Sequence, residues 1–168
     1  MRATPPTRPF REGLEPFRRA SASSPGTIVV NLAGTGPGRL AARRLLARRG
    51  AEIAAGGWAL ARAAGAASAV FAVSWEDGAT GALERSAGSF PDRAPPLRVV
   101  RIGRHYLAGE PTAALEALEG RLAVPRPKPT DTFRVGLAGG PAWVWGAEAA
   151  ARAGRALLSG EEPAEPWR

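Results

Sequence analysis

Between Gly26 and Ser74 the chain passes through one complete unit of an alternating α/β fold. Thr27-Ile-Val-Val-Asn31 is a short β-branched apolar run between Gly26 and a glycine cluster, the pattern of a buried strand. Gly34-Thr-Gly-Pro-Gly38 reads as a turn, Arg39–Arg49 as a helix stopped by Gly50, Ile53–Ala64 as a second helix ending at Gly65, and Ala69–Ser74 as a second strand. Beyond it come a loop over Trp75–Gly81, a short helix over Ala82–Ala87, a break at Pro91–Pro96 and a third strand at Leu97–Ile102. A helix over Thr112–Leu118 closed by Gly120, an extended Pro125–Pro129 segment, a short strand at Phe133–Leu137 and a helix over Trp143–Leu158 complete the reading. Strands that alternate with helices are joined by crossovers, and crossovers build a parallel sheet. The expected fold is a single Rossmann-like α/β domain, mostly parallel, with helices on both faces. It occupies residues 26–160, preceded by a Pro/Arg-rich arm at 1–25 and followed by a polar tail at 161–168. Phe10, Leu14 and Phe17 have helical spacing, which allows a short helix at about 11–19 within the arm.

Composition removes several chemistries. The 168 residues include no Cys, which excludes disulfides, thiolate catalysis and Cys-held iron–sulfur clusters on this chain. A single His, His105, excludes a multi-histidine metal centre. The net charge of +8 and pI of 11.5 point at first to nucleic acid. However, 22 of the 23 basic residues are Arg, and 36 Ala and 21 Gly accompany them, which is the mark of GC-rich coding more than of a binding footprint. Nucleic acid is therefore not the expected partner. No segment has the ~18 apolar residues of a membrane span, and residues 1–19 lack the apolar core of a signal peptide. The expected location is the cytoplasm.

The turn at Gly34, Gly36 and Gly38 lies between a strand and a helix, where backbone N–H groups can meet a phosphate. Its spacing is G-x-G-x-G rather than G-x-G-x-x-G. Pro37 offers no donor, and no acid follows about 20 residues on at a second strand end. The turn is compatible with a phosphate ligand or with none.

Three ordered stretches resemble one family, the flavin-bearing NADH-oxidising subunit of respiratory NADH:quinone oxidoreductase (complex I) and its relatives in NAD-linked hydrogenases and formate dehydrogenases. Val29-Val-Asn31 with Pro37-Gly38 is similar to the family's strand ending in N-x-x-E-x-E-P-G, and Gly57 to Ala66 to its following Ala-rich helix. Tyr106-Leu-Ala-Gly109-Glu110-Pro-Thr112 through Gly120 resembles Y-x-x-G-E-E-T-A-L-x-x-S-L-E-G, and Pro125-Arg126 with Lys128-Pro129 resembles P-R-x-K-P. Gly136-Leu137-Ala-Gly139-Gly-Pro141 through Glu148 resembles G-L-x-G-x-P-T-x-x-x-N-V-E-T.

The resemblance implies a domain that holds FMN, accepts hydride from NADH and passes electrons singly to an iron–sulfur cluster, here necessarily on a partner protein. It implies a cofactor pocket lined by Asn31, Gly34, Gly36, Gly38, Tyr106, Gly109 and Glu110. An active protein of this kind is an NADH-dependent flavin oxidoreductase. Departures from the pattern are concentrated at that pocket. The family's upstream G-R-G-G-x-G-F-P loop is absent, Gly34 and Gly36 replace two acids, Pro111 replaces a third, and Trp145 and Gly146 replace an asparagine pair. The implied function is therefore that of a divergent, truncated homologue, an electron-transfer accessory subunit with weakened or lost cofactor binding. The alternative is a basic module that contacts phosphate or nucleic acid through the Gly34–Gly38 turn and the Arg39–Arg49 helix.

For individual residues two roles stay open. Asn31 either bonds a flavin edge or caps the turn that follows it. Glu110 either orients a ligand or caps the helix that begins at Pro111. Tyr106 either stacks on a flavin or packs, and the paired Trp143 and Trp145 either pack on the sheet or mark a subunit interface. His105 has no acid or thiol partner in sequence and reads as structural.

Overall fold

The computed structural model describes residues 8–34, 37–90, 95–103 and 105–160. Its elements, in order, are α1 (Arg8–Ser21), β1 (Thr27–Asn31), α2 (Pro37–Ala64), β2 (Ser68–Ser74), α3 (Gly81–Ala87), β3 (Leu97–Ile102), α4 (Pro111–Leu118), β4 (Ala142–Gly146) and α5 (Ala147–Ser159). The four strands form one parallel sheet in the order β3-β2-β1-β4.

The topology follows from the handedness of crossovers. From β1 the chain steps outward to β2 and then β3, and it returns past both to place β4 on the other side of β1. Right-handed crossovers in opposite directions put their helices on opposite faces of the sheet. Accordingly, Ile28, Val30, Phe71 and Val73 pack against Leu46, Ile53 and Leu60 of α2, Leu83 of α3 and Ala150 of α5. Val29, which points the other way, packs against Leu115 of α4. A buried Phe or Leu in such a layer contributes about 1.5–3 kcal/mol.

Glycines set the closest helix contacts. A Cβ on Gly56 would stand 1.8 Å from the Ala150 carbonyl oxygen, and one on Gly154 would stand 1.7 Å from that of Glu52, so α2 and α5 cross backbone to backbone. The two helices expected from the sequence are both present within α2: they meet at a kink at Arg49 (φ −133°, ψ 29°), immediately before Gly50. α3 also requires that glycine, because a Cβ there would lie 2.8 Å from the Leu83 amide nitrogen.

Two expectations are corrected. Phe133–Leu137 forms turns rather than a strand, with one antiparallel bridge between Leu137 and Gly140 around left-handed Ala138 and Gly139. Ala142–Gly146 is not helical. It is β4, paired from Thr27↔Ala142 to Asn31↔Gly146, and the helix begins only at Ala147. Its edge position lets Trp143 pack on the fully buried Phe17 of α1 (ring centroids 5.5 Å apart) and on Phe133 (5.6 Å).

Candidate functional site

Because all strands are parallel, β1, β2, β3 and β4 finish at one edge of the sheet, at Asn31, Ser74, Ile102 and Gly146. In open α/β sheets the ligand crevice lies outside these ends, where the strand order reverses. Here the reversal is at β1, between β2 and β4.

Asn31 stands at that point. Its Nδ2 donates to the Ala108 carbonyl at 2.8 Å, and its Oδ1 accepts from the Ala33 N–H at 3.1 Å. The side chain therefore caps the turn after β1 and ties it to the Tyr106–Gly109 turn after β3. One amide hydrogen and acceptor capacity on its oxygen remain. Gly34 follows beside open space: a Cβ on it would meet no atom within 4 Å. Gly36 lies outside the described residues. Gly38 is in the first turn of α2, behind Pro37. The N–H groups of that turn have no acceptor within the helix.

Tyr106 and Gly109 belong to a short 3-10 turn, and Tyr106 is 84 % exposed. Glu110 then caps α4. Its Oε2 accepts from the Ala113 N–H at 2.7 Å and from the Thr112 hydroxyl at 2.6 Å, with Pro111 at the first helical position. Both bonds go to one oxygen, which leaves Oε1 for another donor. Asn31, Gly34, Gly38, Tyr106, Gly109 and Glu110 thus come from the segments that follow β1 and β3.

Sequence reasoning passed over the loop after β2. Asp77 is 1 % exposed, and its Oδ1 faces the Arg43 Nε of α2 at 3.1 Å, an ion pair without an aligned hydrogen bond. Trp75, two residues earlier, projects into solvent and is 66 % exposed. The Asp77-Gly78 pair announces the turn, but nothing local announces the partner of Asp77.

The P-R-x-K-P-like segment performs a structural task. Arg126 donates from Nε to Glu116 at 2.5 Å and from a terminal nitrogen to the Val135 carbonyl at 2.6 Å, and its N–H donates to the Thr112 hydroxyl at 2.9 Å. Arg121 also bonds Glu116 and Glu119. Hydrogen bonds from Arg121 and then Arg126 hold the Glu116 carboxyl down at about 2. A groove of 890 Å³ beside this strut is lined by residues such as Leu122, Pro127 and Val135, and none of its lining residues belongs to a strand or to the seven pocket candidates. Among the described residues no His/Cys/Asp/Glu group is placed to hold a metal ion, and no helix is long and apolar enough to cross a membrane.

Comparisons with known proteins agree with this architecture. NAD+-reducing nickel–iron hydrogenase in its H2-reduced state matches with a TM-score of 0.78 and 26 % identity, covering 89 % of this chain and 27 % of that one. The same type of enzyme in its air-oxidised state matches with a TM-score of 0.71 and 27 % identity, covering 86 % and 26 %. The chain therefore spans about a quarter of the length of those hydrogenase chains. No curated protein sequence matches it. The model of the Nuo51 FMN-binding domain matches residues 12–152, and the chain belongs to that family.

Proposed function

We propose that this chain is the flavin domain of an electron-transfer assembly, and that its strand-end crevice holds FMN more weakly than other members of the family do. The observation that carries the reading is Asn31. It is fixed at the end of β1 by two internal hydrogen bonds, has polar valences to spare, and stands beside the open space at Gly34. Glu110 is similar, anchored through Oε2 with Oε1 in reserve. These residues suit a flavin, because each is oriented before any ligand arrives.

In this reading Asn31 and Glu110 orient the ligand through their remaining polar atoms. Gly34, Gly36 and Gly38 let the backbone approach it, the first-turn N–H groups of α2 face its phosphate, and Tyr106 and Gly109 border it. Bound FMN supplies two-electron acceptance from NADH and one-electron release. These 168 residues contain no Cys, so the acceptor cluster is held by residues outside them. Weakening follows from the resemblance. Gly34, Gly36 and Pro111 stand where the family has acids, and a hydrogen bond to a charged group contributes about 1.5–3 kcal/mol. Losing two such bonds lowers affinity by roughly a hundredfold or more. The nucleic-acid alternative has less support, since Arg43 and Arg49 of the basic helix are already paired with Asp77 and Glu52.

Quenching of FMN fluorescence tests the proposal, with the flavin subunit of an NAD+-reducing hydrogenase titrated in parallel. Saturable binding at least about a hundredfold weaker than that of the hydrogenase subunit is expected. Equal affinity would overturn the weakening, and no saturation at millimolar FMN would overturn the flavin reading.

A further inference from the structure

In parallel sheets wound in this order, the strand beside β1 has a second use. A dinucleotide runs from the glycine turn after the first strand, which receives phosphate, to the end of the second strand, where an acid accepts hydrogen bonds from the adenosine ribose. Here that neighbour is β2, with Asn31 opposite Ala72 and the Leu32 N–H bonded to the Ala72 carbonyl at 2.8 Å. The acid is looked for about 20 residues past the glycine turn, and none stands there at a strand end. The length of α2 is the reason. It takes up Pro37–Ala64, so β2 ends only at Ser74, and two acids follow directly, Glu76 and Asp77.

Burial separates the two acids. Asp77 is turned inward and paired with Arg43 of α2. Its N–H donates to the Ser74 carbonyl at 3.0 Å, and the Trp75 N–H donates to the Ile102 carbonyl of β3 at 3.1 Å. The loop is thereby pinned to α2, β2 and β3, and the side chains it exposes are those of Trp75 and Glu76. An indole held out by a fixed backbone is a platform on which a base stacks. The carboxylate next to it has acceptor sites for several donors, which suits a ribose diol, and its charge repels a ribose phosphate. At the base of the loop the Ser74 hydroxyl is buried at 4 % exposure and has no hydrogen-bond partner among the described residues. A buried polar group left open in this way is uncommon and marks a place where a ligand or water completes the bonding.

We propose that the Trp75–Glu76 loop is an adenosine subsite: adenine stacks on the Trp75 indole, and Glu76 accepts from the hydroxyls of a ribose that carries no 2′-phosphate. A nicotinamide dinucleotide seated there runs from the end of β2 toward the crevice at β1. Its service as the reductant rests on the flavin reading above. The subsite itself does not, because Trp75 and Glu76 lie outside the set of residues assigned to FMN.

The test is calorimetric titration of the full chain with ADP-ribose, which carries the adenosine and both phosphates but no nicotinamide. Saturable binding is expected, about tenfold or more tighter than that of 2′-phospho-ADP-ribose. Trp75→Ala should weaken ADP-ribose roughly tenfold or more, and Trp75→Phe should restore most of the loss. Glu76→Gln should narrow the gap between the two ligands to about threefold or less, a change of preference that a merely structural role would not produce. The groove variant Leu122→Ser/Val135→Ser should bind as wild type. Saturating FMN should leave ADP-ribose affinity unchanged, because the two sites are separate. No saturation by ADP-ribose, equal binding of the two ligands, an unaltered affinity in Trp75→Ala, an unaltered gap in Glu76→Gln, loss on the groove variant, or displacement by FMN would each overturn the subsite. ADP-ribose binding by a chain that never saturates with FMN would instead sink the flavin reading and leave the subsite standing.

Discussion

Replacing Asn31 by Ala removes a side chain that joins the end of β1 to the turn after β3. Two backbone groups lose their partners: the Ala108 carbonyl, 2.8 Å from Nδ2, and the Ala33 N–H, 3.1 Å from Oδ1. Both belong to buried residues, Ala108 at 0 % and Ala33 at 4 % exposure. An unsatisfied buried group costs about 1–3 kcal/mol, and water entering from the Gly34 side recovers part of it, so a net loss of roughly 2–4 kcal/mol is expected. For a chain of this size each kcal/mol moves the melting temperature by about 2–4 °C, so Asn31→Ala should melt roughly 5–15 °C lower. Asn31→Asp keeps an acceptor for Ala33 but sets a carboxylate against the Ala108 carbonyl, and it should be destabilised as well. Thermal unfolding followed by circular dichroism measures both. A melting temperature for Asn31→Ala within 2 °C of wild type would refute the claim that this amide holds the crevice together.

Gly154→Ala sets helix propensity, worth about 1 kcal/mol in favour of Ala, against a Cβ placed 1.7 Å from the Glu52 carbonyl oxygen. Backbone cannot swing aside, so the melting temperature should fall, and a rise would show that α2 and α5 are not in close contact. Phe17→Ala should cost about 3–5 kcal/mol by chemical denaturation, because the fully buried ring packs on Phe133 and Trp143. The Glu116 carboxyl is held near 2 by Arg121 and Arg126. A depressed folded-state pKa gives stability that is present above the unfolded value of 4.5 and is lost as pH falls toward 2. The difference in melting temperature between wild type and Glu116→Gln should therefore be constant above about pH 5 and shrink below it. A difference that persists unchanged to pH 2 contradicts the ion-pair assignment.

The first three strands were legible because each is a β-branched apolar run with Gly or Pro near its ends, and Glu110 was legible as a cap because Pro111 follows it. β4 was not. Ala142–Gly146 runs straight into an Ala-rich helix, with only Gly146 between them, and its extended form is imposed by pairing with β1 more than a hundred residues away. The break before Gly50 was legible, but the close approach of α3 to that glycine was not. The seven pocket candidates came from a resemblance, and local sequence could not disclose that Asn31 reaches Ala108, 77 residues on.

Amide chemical-shift mapping of the labelled full chain during an FMN titration shows where the flavin sits. FMN held at the strand ends gives saturable shifts grouped at Asn31–Leu40 and at His105–Ala113, with the groove at Leu122–Val135 silent. Shifts confined to that groove, or none at millimolar FMN, would contradict it.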